Sequence, residues 1–370
     1  MTVRVALLTY STKPRGGVVH TLNLAEALAR LGVEVTVWSL ARAGDRGFFR
    51  AVDPAVAVRL VEFVDYPGDT VTDRIVRSID LLRAAFDPDD YDIVHAQDCV
   101  SANAVDSCIR TIHHLDEFTT PVLVACHEKA ITDPYARICV SSAVAEEVTA
   151  KWGYRPTVIP NGVQAQRFIA AASGDAAATA ARTRWRGELG RYVLAVGGIE
   201  PRKGSLDLAG AYHLARRRFP GLALVIAGGE TLFDYREYRA AFDARCRELA
   251  VAPVILGAID DAALPGLVAG CEVFAFPSTK EGFGLAALEA LAAGRPVVAR
   301  DLPVLREVFG PTIRYAPDVS GLAAAMTAAI EGPYDPEPGR RLAQTKTWDA
   351  AARAHLDFYR SHPSPARRPR

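Results

Sequence analysis

The chain alternates short apolar runs with longer stretches in which apolar residues recur every three or four positions. Residues 3–10 form an apolar run, residues 11–17 a loop with two glycines, and residues 18–31 a helical pattern before the apolar run at 33–40. This order predicts a strand, a helix and a parallel second strand. The alternation continues to residue 160, with strand-like runs at 56–63, 92–98, 107–114, 137–142 and 156–160 and helical patterns that include 73–86 and 143–152.

The same alternation starts again at residue 191. The segment before it, residues 164–184, is rich in Ala, Ser and Thr and predicts a linker with irregular helix. We therefore expect an α/β protein with two Rossmann-like, doubly wound domains facing each other across a cleft, where the carboxyl ends of their strands bind ligands. The predicted parts are residues 1–163, residues 164–346, a last helix at about 347–360 that packs back on the first domain, and a disordered tail at 361–370.

Residues 277–296 combine the end of an apolar strand, a polar loop with two glycines and a helix made almost only of Leu and Ala. Such a helix directs unpaired backbone N–H groups and a partial positive charge into the loop, where a phosphate can bind. Gly282 and Gly284 allow a ligand close to the backbone. Glu289 lies in the apolar helix, where a buried carboxylate needs hydrogen-bond donors such as sugar hydroxyls. The alternative is that Glu281 and Glu289 are ordinary surface charges.

A basic loop, Pro201-Arg-Lys-Gly204, follows the first strand of the second half. Arg202 can bind a diphosphate as a planar fork, and Lys203 can bind it as a point charge. A solvated basic turn is the alternative. Gly229 ends a later strand and is predicted to face a nucleotide.

Candidate residues of the first half follow its strands. Gly16 and Gly17 precede a helix and can bring backbone amides toward a diphosphate, although a simple tight turn has the same sequence. The missing G-x-G-x-x-G pattern argues against a nicotinamide enzyme. His113 ends a strand and can reach the cleft, unless it is a buried structural histidine. Weaker candidates for contact with an acceptor substrate are His95, Asp98 and His114, although a packed strand end is at least as good an interpretation of His95 and Asp98.

Composition narrows the class of protein. The 370 residues carry no formal net charge, and half of them are apolar, which gives no sign of bulk electrostatic binding to nucleic acid. No apolar run approaches the ~20 residues of a membrane span, and we expect no secretory signal. The six scattered cysteines are typical of reduced core thiols. These features predict a cytoplasmic enzyme or binding protein.

The order of Pro-Arg-Lys-Gly at 201–204, Glu-Gly-Phe-Gly at 281–284 and two glutamates eight positions apart resembles family four of the retaining GT-B glycosyltransferases, also called group 1. The resemblance covers residues 3–309. It implies a retaining hexosyltransferase that moves a sugar from a nucleotide-diphosphate sugar to an unidentified acceptor by front-face substitution. It also implies no cofactor besides this donor and no metal ion.

The resemblance also assigns roles to residues. Lys203 matches a family lysine, whereas Gly198 stands where the family has an arginine, which Arg202 can replace. Glu289 would bind ribose hydroxyls, and His113 would orient the sugar or the acceptor. The donor sugar would be held by Glu281 and by the backbone of the following loop, Gly282, Phe283, Gly284 and Leu285, with Ile255 near the base.

Several alternatives stay open at this point. The nucleotide can be UDP, GDP or ADP, the acceptor can be a small molecule, a glycan or a lipid-linked sugar, and the oligomeric state is undetermined. Residues 44–50 and 73–86 are partly basic and apolar, which allows peripheral membrane contact, although any surface helix has this pattern. Rival functions are another GT-B nucleotide-sugar enzyme of the epimerase type and a non-catalytic two-domain sugar-binding protein.

Overall fold

The computed structural model describes residues 3–42, 44–118, 120–228 and 235–365. The chain divides into two compact units. Unit 1 comprises the described residues of Met1–Gly162 and Trp348–Arg370, and unit 2 comprises those of Val163–Thr347. The sequence analysis places these boundaries after residues 163 and 346. Gly229 and the last five residues of the predicted tail lie outside the described residues.

Apolar runs form the strands, as expected where both faces of a parallel sheet are covered by helices. The strands are β1 (Arg4–Leu8), β2 (Glu34–Arg42), β3 (Val56–Phe63), β4 (Ile93–Ala96), β5 (Ile109–Ile112), β6 (Ala136–Cys139), β7 (Thr157–Val158), β8 (Arg191–Val196), β9 (Leu222–Ala227), β10 (Val254–Gly257), β11 (Val273–Phe276), β12 (Val297–Arg300) and β13 (Arg314–Ala316).

Helices connect most of the strands. They are α1 (Gly16–Arg30), α2 (Val71–Ala85), α3 (Cys99–Ala104), α4 (Pro121–Thr132), α5 (Ser142–Trp152), α6 (Ala165–Ala171), α7 (Ala176–Leu189), α8 (Ser205–Ala215), α9 (Arg236–Glu248), α10 (Leu264–Gly270), α11 (Leu285–Ala292), α12 (Pro303–Phe309), α13 (Val319–Glu331), α14 (Glu337–Thr345) and α15 (Trp348–Ser361). Short 3-10 turns occur at Pro88–Asp90, Pro201–Lys203 and Gly310–Thr312.

Unit 1 contains a parallel sheet in the order β3-β2-β1-β4-β5-β6-β7. β1 lies between β2 and β4, with Val5 opposite both Val35 and Ile93. The strand order therefore reverses direction between β1 and β4, which makes this the switch point where ligands of such sheets bind. The last helix, α15, packs against α1, and Arg30 of α1 pairs with Asp349 of α15 at 2.5 Å.

Unit 2 repeats this topology with a parallel sheet in the order β10-β9-β8-β11-β12-β13. Its switch point lies between β8 and β11, where Val193 pairs with Val273. The core below the sheet includes Leu224, Phe242 and Met326, all nearly inaccessible to solvent. The two units thus present corresponding loop positions at the carboxyl edges of their sheets.

Two predictions about helix positions are wrong. Residues 164–184 are not a linker with irregular helix, because α6 and α7 occupy them; the Asp175 side chain accepts a hydrogen bond from the N–H of Ala178 and caps α7, and buried Phe168 anchors α6. An Ala-rich segment with such a cap forms a regular helix. In unit 1, Gly16 and Gly17 lie in the first turn of α1 and do not precede it.

Candidate functional site

In unit 2, the loops that follow β8 and β11 touch at the switch point. Gly204 has φ +63°, and a Cβ atom there would lie 2.3 Å from the carbonyl oxygen of Pro277, so only glycine fits. The N–H of Thr279 donates to the carbonyl of Arg202 at 2.9 Å. The loop after β9 joins them, because a Cβ on Gly228 would lie 2.2 Å from the Gly197 oxygen. Close backbone packing therefore fixes the basic loop against the Glu-Gly-Phe-Gly loop.

This packing brings four charged side chains together, which we call the switch-point cluster: Glu200, Arg202, Lys203 and Glu281. Lys203 Nζ donates to Glu281 Oε1 at 2.6 Å, and an Arg202 Nη lies 3.4 Å from the same oxygen. The other Nη of Arg202 donates to Glu200 Oε1 at 2.9 Å. Two cations and two carboxylates thus balance one another at the edge of the sheet.

Electrostatics inside the cluster favour its ionised form. Burial of Glu281, whose side chain is 8% exposed, would raise the pKa of its carboxyl. The charges of Lys203 and Arg202 outweigh this effect and lower the pKa to about 2. Glu281 is therefore an anion at neutral pH, and it holds the two cations in fixed positions.

The second glutamate of the motif lies in a different environment. Glu289 is on α11 and partly buried, and burial raises the pKa of its carboxyl to about 8. Arg167 opposes this shift, but its guanidinium pairs with Asp261 at 2.8 Å. In the described part of unit 2, no side chain forms a hydrogen bond or ion pair with the Glu289 carboxyl. Glu289 is therefore largely a neutral acid at pH 7, able both to donate and to accept a hydrogen bond.

The loop before α11 is closely packed. Gly284 has φ +95° immediately before Leu285 starts the helix, and its Cβ position lies 3.0 Å from the Phe309 ring. Phe283 is 4% exposed, so its ring contributes packing while its backbone forms the loop. Ile255 on β10 is 37% exposed and offers an apolar surface.

In unit 1, the structure brings two predicted residues together. His113 follows β5, and its ring lies 3.6 Å from the position that a Cβ on Gly17 would occupy. The ring centroids of His113 and His20 are 4.7 Å apart, in an edge-to-face arrangement. Burial, helped by the neighbouring His20 and Arg110, lowers the pKa of His113 well below its ordinary value. His113 is therefore a neutral imidazole beside the first turn of α1.

The structure contradicts an acceptor role for His95. Its ring is inaccessible to solvent, with Nδ1 2.8 Å from the Tyr359 hydroxyl and Nε2 2.7 Å from the Thr111 hydroxyl. Both ring nitrogens are used inside the core, so the prediction for His95 is wrong.

The other two weak candidates differ from each other. Asp98 caps α3 and accepts hydrogen bonds from the N–H groups of Tyr10 at 2.9 Å and Ser101 at 2.8 Å. These bonds make Asp98 a structural residue of a packed strand end, the alternative to contact with an acceptor. His114 remains partly exposed, with Nε2 3.1 Å from Asp116.

Two residues of these sites were missed by sequence reasoning. Glu200 is the second anchor of Arg202, and its signal was an acidic residue directly before the basic turn. His20 packs against His113, and its signal was a polar residue on the apolar, inward face of the α1 pattern, where Leu24 and Leu28 follow at helical spacing.

Comparisons with known proteins now identify the family. Residues 14–167 match the family model described as Glycosyltransferase Family 4, and residues 183–346 match Glycosyl transferases group 1. The chain belongs to glycosyltransferase family 4. This glycosyltransferase is 29% identical over 352 residues to the phosphatidyl-myo-inositol mannosyltransferase of Mycolicibacterium smegmatis, covering 87% of this chain and 83% of the relative.

Solved structures of similar proteins confirm the GT-B fold. Sucrose-phosphate synthase from Thermosynechococcus elongatus superimposes with a TM-score of 0.75 at 21% identity, covering 97% of this chain and 98% of the other. The Anabaena protein HepE in complex with UDP-glucose superimposes with a TM-score of 0.73 at 18% identity, covering 97% and 100%. At these identities the likeness establishes the fold of the glycosyltransferase.

Two features are absent from the described residues. None of the helices in these residues has the length and apolar character needed to cross a membrane. Within the same residues, no group of three or more His, Cys, Asp or Glu side chains is arranged to hold a metal ion.

Proposed function

We propose that this glycosyltransferase is a retaining hexosyltransferase that uses a nucleotide-diphosphate sugar and needs no metal ion. The observation that carries the proposal is the switch-point cluster, in which Glu281 holds Lys203 at 2.6 Å and Arg202 at 3.4 Å. The complex of the Anabaena neighbour with UDP-glucose supports a nucleotide-sugar donor. The mannosyltransferase named among the relatives supports transfer of a hexose.

The cluster suits departure of a diphosphate. Breaking the bond between the sugar C1 and the phosphate oxygen places negative charge on the leaving group. Lys203 and Arg202 would stabilise this charge together with the backbone N–H groups that begin α11. Their positive charge would make a divalent metal ion unnecessary. Arg202 would take the place of the family arginine, for which this chain has Gly198.

The two glutamates would hold different parts of the donor. Glu289, as a neutral acid, can both accept from and donate to ribose hydroxyls. Glu281, as an anion, can accept hydrogen bonds from hydroxyls of the sugar, and the backbone from Gly282 to Leu285 would surround the sugar and phosphates. The exposed Ile255 side chain would contact the base.

Retention would follow from attack on the face from which the diphosphate leaves. The acceptor oxygen forms its bond to C1, the leaving phosphate oxygen takes the acceptor proton, and no enzymic nucleophile is used. His113 would orient the sugar or the acceptor as a neutral hydrogen-bonding group. Exclusion of water would favour the acceptor over hydrolysis. The acceptor itself can be a small molecule, a glycan or a lipid-linked sugar. The lipid in the name of the mannosyltransferase relative supports a lipid-linked acceptor.

Calorimetric titration with UDP, GDP and ADP in EDTA tests the donor site. We expect one diphosphate to bind, and Glu289→Ala to weaken its binding about tenfold or more. Glu248→Ala is the control, because Glu248 is an exposed helical carboxylate on α9 paired with Arg245 at 2.6 Å. No binding of any diphosphate, or equal binding by wild type and Glu289→Ala, would contradict the proposal.

Turnover of the donor separates the rival functions. We expect slow hydrolysis of the matching nucleotide sugar and a several-fold faster release of diphosphate with the right acceptor. Conversion of the nucleotide sugar to its epimer, without glycosylation of any acceptor in a panel of small molecules, glycans and lipid-linked sugars, would favour an enzyme of the epimerase type. Binding without any turnover would favour a non-catalytic sugar-binding protein.

A further inference from the structure

His20 occupies a fully buried position on α1, with 1% of its surface exposed. Its Nδ1 lies 2.8 Å from Oδ1 of Asn161, which is itself 4% exposed. An amide oxygen can only accept a hydrogen bond, so Nδ1 carries the ring proton and donates it. Burial, with a smaller effect of His355, lowers the pKa of His20 to about 3. The ring is therefore neutral, and one hydrogen bond fixes its orientation.

His113 rests against this ring. The two imidazoles meet edge to face, with centroids 4.7 Å apart and planes at 76°. A Cβ on Gly17, one turn earlier on α1, would lie 3.6 Å from the same His113 ring, so the ring lies directly beside the first turn of the helix. Nε2 of His113 is buried, and no hydrogen-bond partner for it occurs in the described chain. The orientation of His113 therefore depends on packing against α1, above all against His20.

The chain leaves unit 1 after Gly162 and returns to it at Trp348, and we call these two points the passages. A residue at each passage lies beside His20. Asn161 directly precedes Gly162, the last residue of the first segment of unit 1, and Trp348 is the first residue after the chain returns. The Trp348 ring contacts the His20 ring edge to face at 5.4 Å. His20 is thus in contact with one residue from each passage and with His113.

We propose that His20 is a positioning residue, held by Asn161 and Trp348 at the two passages, that sets the orientation of His113 for transfer of the sugar. This inference rests on the role given to His113 in the proposed function. It adds a physical link between the chain passages and His113, so that a change of conformation in the passages would reorient the His113 ring.

Core filling alone does not account for these contacts. Burial of an imidazole and an amide costs free energy that an apolar pair of the same volume would not cost, even when the two groups hydrogen-bond. His355 offers the internal comparison. It is equally buried and its ring lies 6.0 Å from that of His20, but its Nδ1 bonds to the Ala351 carbonyl of its own helix.

The test compares His20→Phe and Asn161→Ala with the matched control His355→Phe. Far-UV circular dichroism and thermal unfolding first identify the variants that fold. We then measure kcat and KM for donor hydrolysis, and record the imidazole nitrogen resonances of His113 by two-dimensional NMR on the full chain. His113→Ala serves to assign those resonances.

We expect His20→Phe to lower kcat at least tenfold with KM changed less than threefold, and to shift the His113 resonances toward a mixture of ring orientations. Asn161→Ala should change kcat and the His113 resonances in the same direction but less strongly. If His20→Phe does not fold, Asn161→Ala provides the test. His355→Phe should leave kcat within twofold of wild type and the His113 resonances unshifted.

Equal losses of kcat in His20→Phe and His355→Phe, or unchanged His113 resonances in both His20→Phe and Asn161→Ala, would overturn the inference. Its failure is distinguishable from failure of the proposed function. A wild-type protein that neither binds a nucleotide diphosphate nor hydrolyses a nucleotide sugar contradicts the function, whereas the resonances of His113 still report whether His20 and Asn161 set its orientation.

Discussion

Unit 1 and unit 2 place their candidate residues after corresponding strands of the same parallel topology. The helix after β1 begins with Gly16 and Gly17, and the loop after β8 contains Arg202 and Lys203. The chemistry at these two carboxyl edges differs. In unit 2, two cations and two carboxylates form direct ion pairs of 2.6 to 3.4 Å. In unit 1, the loop before α1 carries an ion pair, Lys13 with Asp45 at 2.7 Å, and the group beside the first turn of α1 is the neutral imidazole of His113.

This difference shows how neighbouring charges reverse or strengthen the effect of burial on a pKa. Burial raises the pKa of Glu281 on its own, but two nearby cations reverse the shift. Burial lowers the pKa of His113, and its basic neighbours His20 and Arg110 strengthen the shift, because positive charge beside the ring disfavours its protonated form. One topology thus carries a cluster of four charges in unit 2, which we call the charged edge, and a neutral imidazole beside the start of α1 in unit 1, in keeping with the rule that function resides in sites and not in folds.

Removal of Lys203, a cation of the charged edge, should have the largest effect on turnover. We expect Lys203→Ala to lower the kcat of donor turnover about 10²- to 10³-fold, the range found when one charge-stabilising donor is removed from a transition state. The reason is that Lys203 approaches Glu281 at 2.6 Å while Arg202 lies 3.4 Å away. Steady-state release of nucleotide diphosphate is the measurement.

Arg191→Ala is the matched control for this variant. Arg191 begins β8, the strand that Lys203 follows, but it lies at the opposite edge of the sheet and pairs with Glu272 at 3.5 Å. Its turnover should stay within twofold of wild type. Turnover by Lys203→Ala within threefold of wild type would show that the charged edge does not stabilise the leaving group.

Local sequence explains how much of both edges could be predicted. The strands follow continuous apolar runs, and the loops with Lys203 and Glu281 follow such strands directly, so the motif and its fold could be recognised together. The interior position of His95 could not be recognised, because its partners Thr111 and Tyr359 come from other elements. The charge state of Glu289 depends on whether distant Arg167 pairs with it or with Asp261, which no spacing in the sequence reveals.

The two motif glutamates of unit 2, Glu281 and Glu289, show the same effect of neighbouring charge within a single motif. Both have an ordinary pKa of 4.5, which we take for the unfolded chain, and the folded values are about 2 for Glu281 and about 8 for Glu289. The depressed pKa of Glu281 contributes stability above pH 4.5 that is lost as pH falls toward 2. The raised pKa of Glu289 contributes stability below pH 4.5 that is lost as pH rises toward 8.

Substitution by glutamine should therefore have opposite effects at pH 8. Glu281→Gln should lower the free energy of unfolding of unit 2 by about 1–3 kcal/mol, because Lys203 and Arg202 lose their shared anion. Glu289→Gln should raise it relative to wild type by about 2–4 kcal/mol and flatten its decline between pH 5 and 8. Urea unfolding followed by the fluorescence of Trp185, the one tryptophan in the sequence of unit 2, measures both in a background in which Trp38, Trp152 and Trp348 of unit 1 are replaced by phenylalanine.

If Glu281→Gln and Glu289→Gln change the free energy of unfolding in the same direction at pH 8, the inferred difference between the environments of the two glutamates is contradicted. The variant Glu248→Gln serves as control, since its exposed carboxylate pairs only within α9. Its unfolding free energy should stay within about 0.5 kcal/mol of wild type at each pH, as is usual for surface substitutions.

The smallest expected change is at the start of α1 in unit 1, beside His113. Gly17 has no positive φ, and a Cβ there would be in ordinary contact with His113 at 3.6 Å, so Gly17→Ala should fit the fold. Alanine is the better helix former, and the free energy of unfolding should stay the same or rise by up to about 1 kcal/mol. If a diphosphate approaches the start of α1, the added methyl group will obstruct it, and we expect kcat/KM for the donor to fall about 5- to 20-fold.

Gly32→Ala is the comparison that separates strain from obstruction. Gly32 follows α1 with φ +82° and open space around its Cβ position, so alanine there should lower stability while leaving kcat/KM unchanged. Gly17→Ala should show the reverse pattern, a loss of kcat/KM without a loss of stability. Unchanged kcat/KM in Gly17→Ala would mean that no ligand group comes close to the first turn of α1.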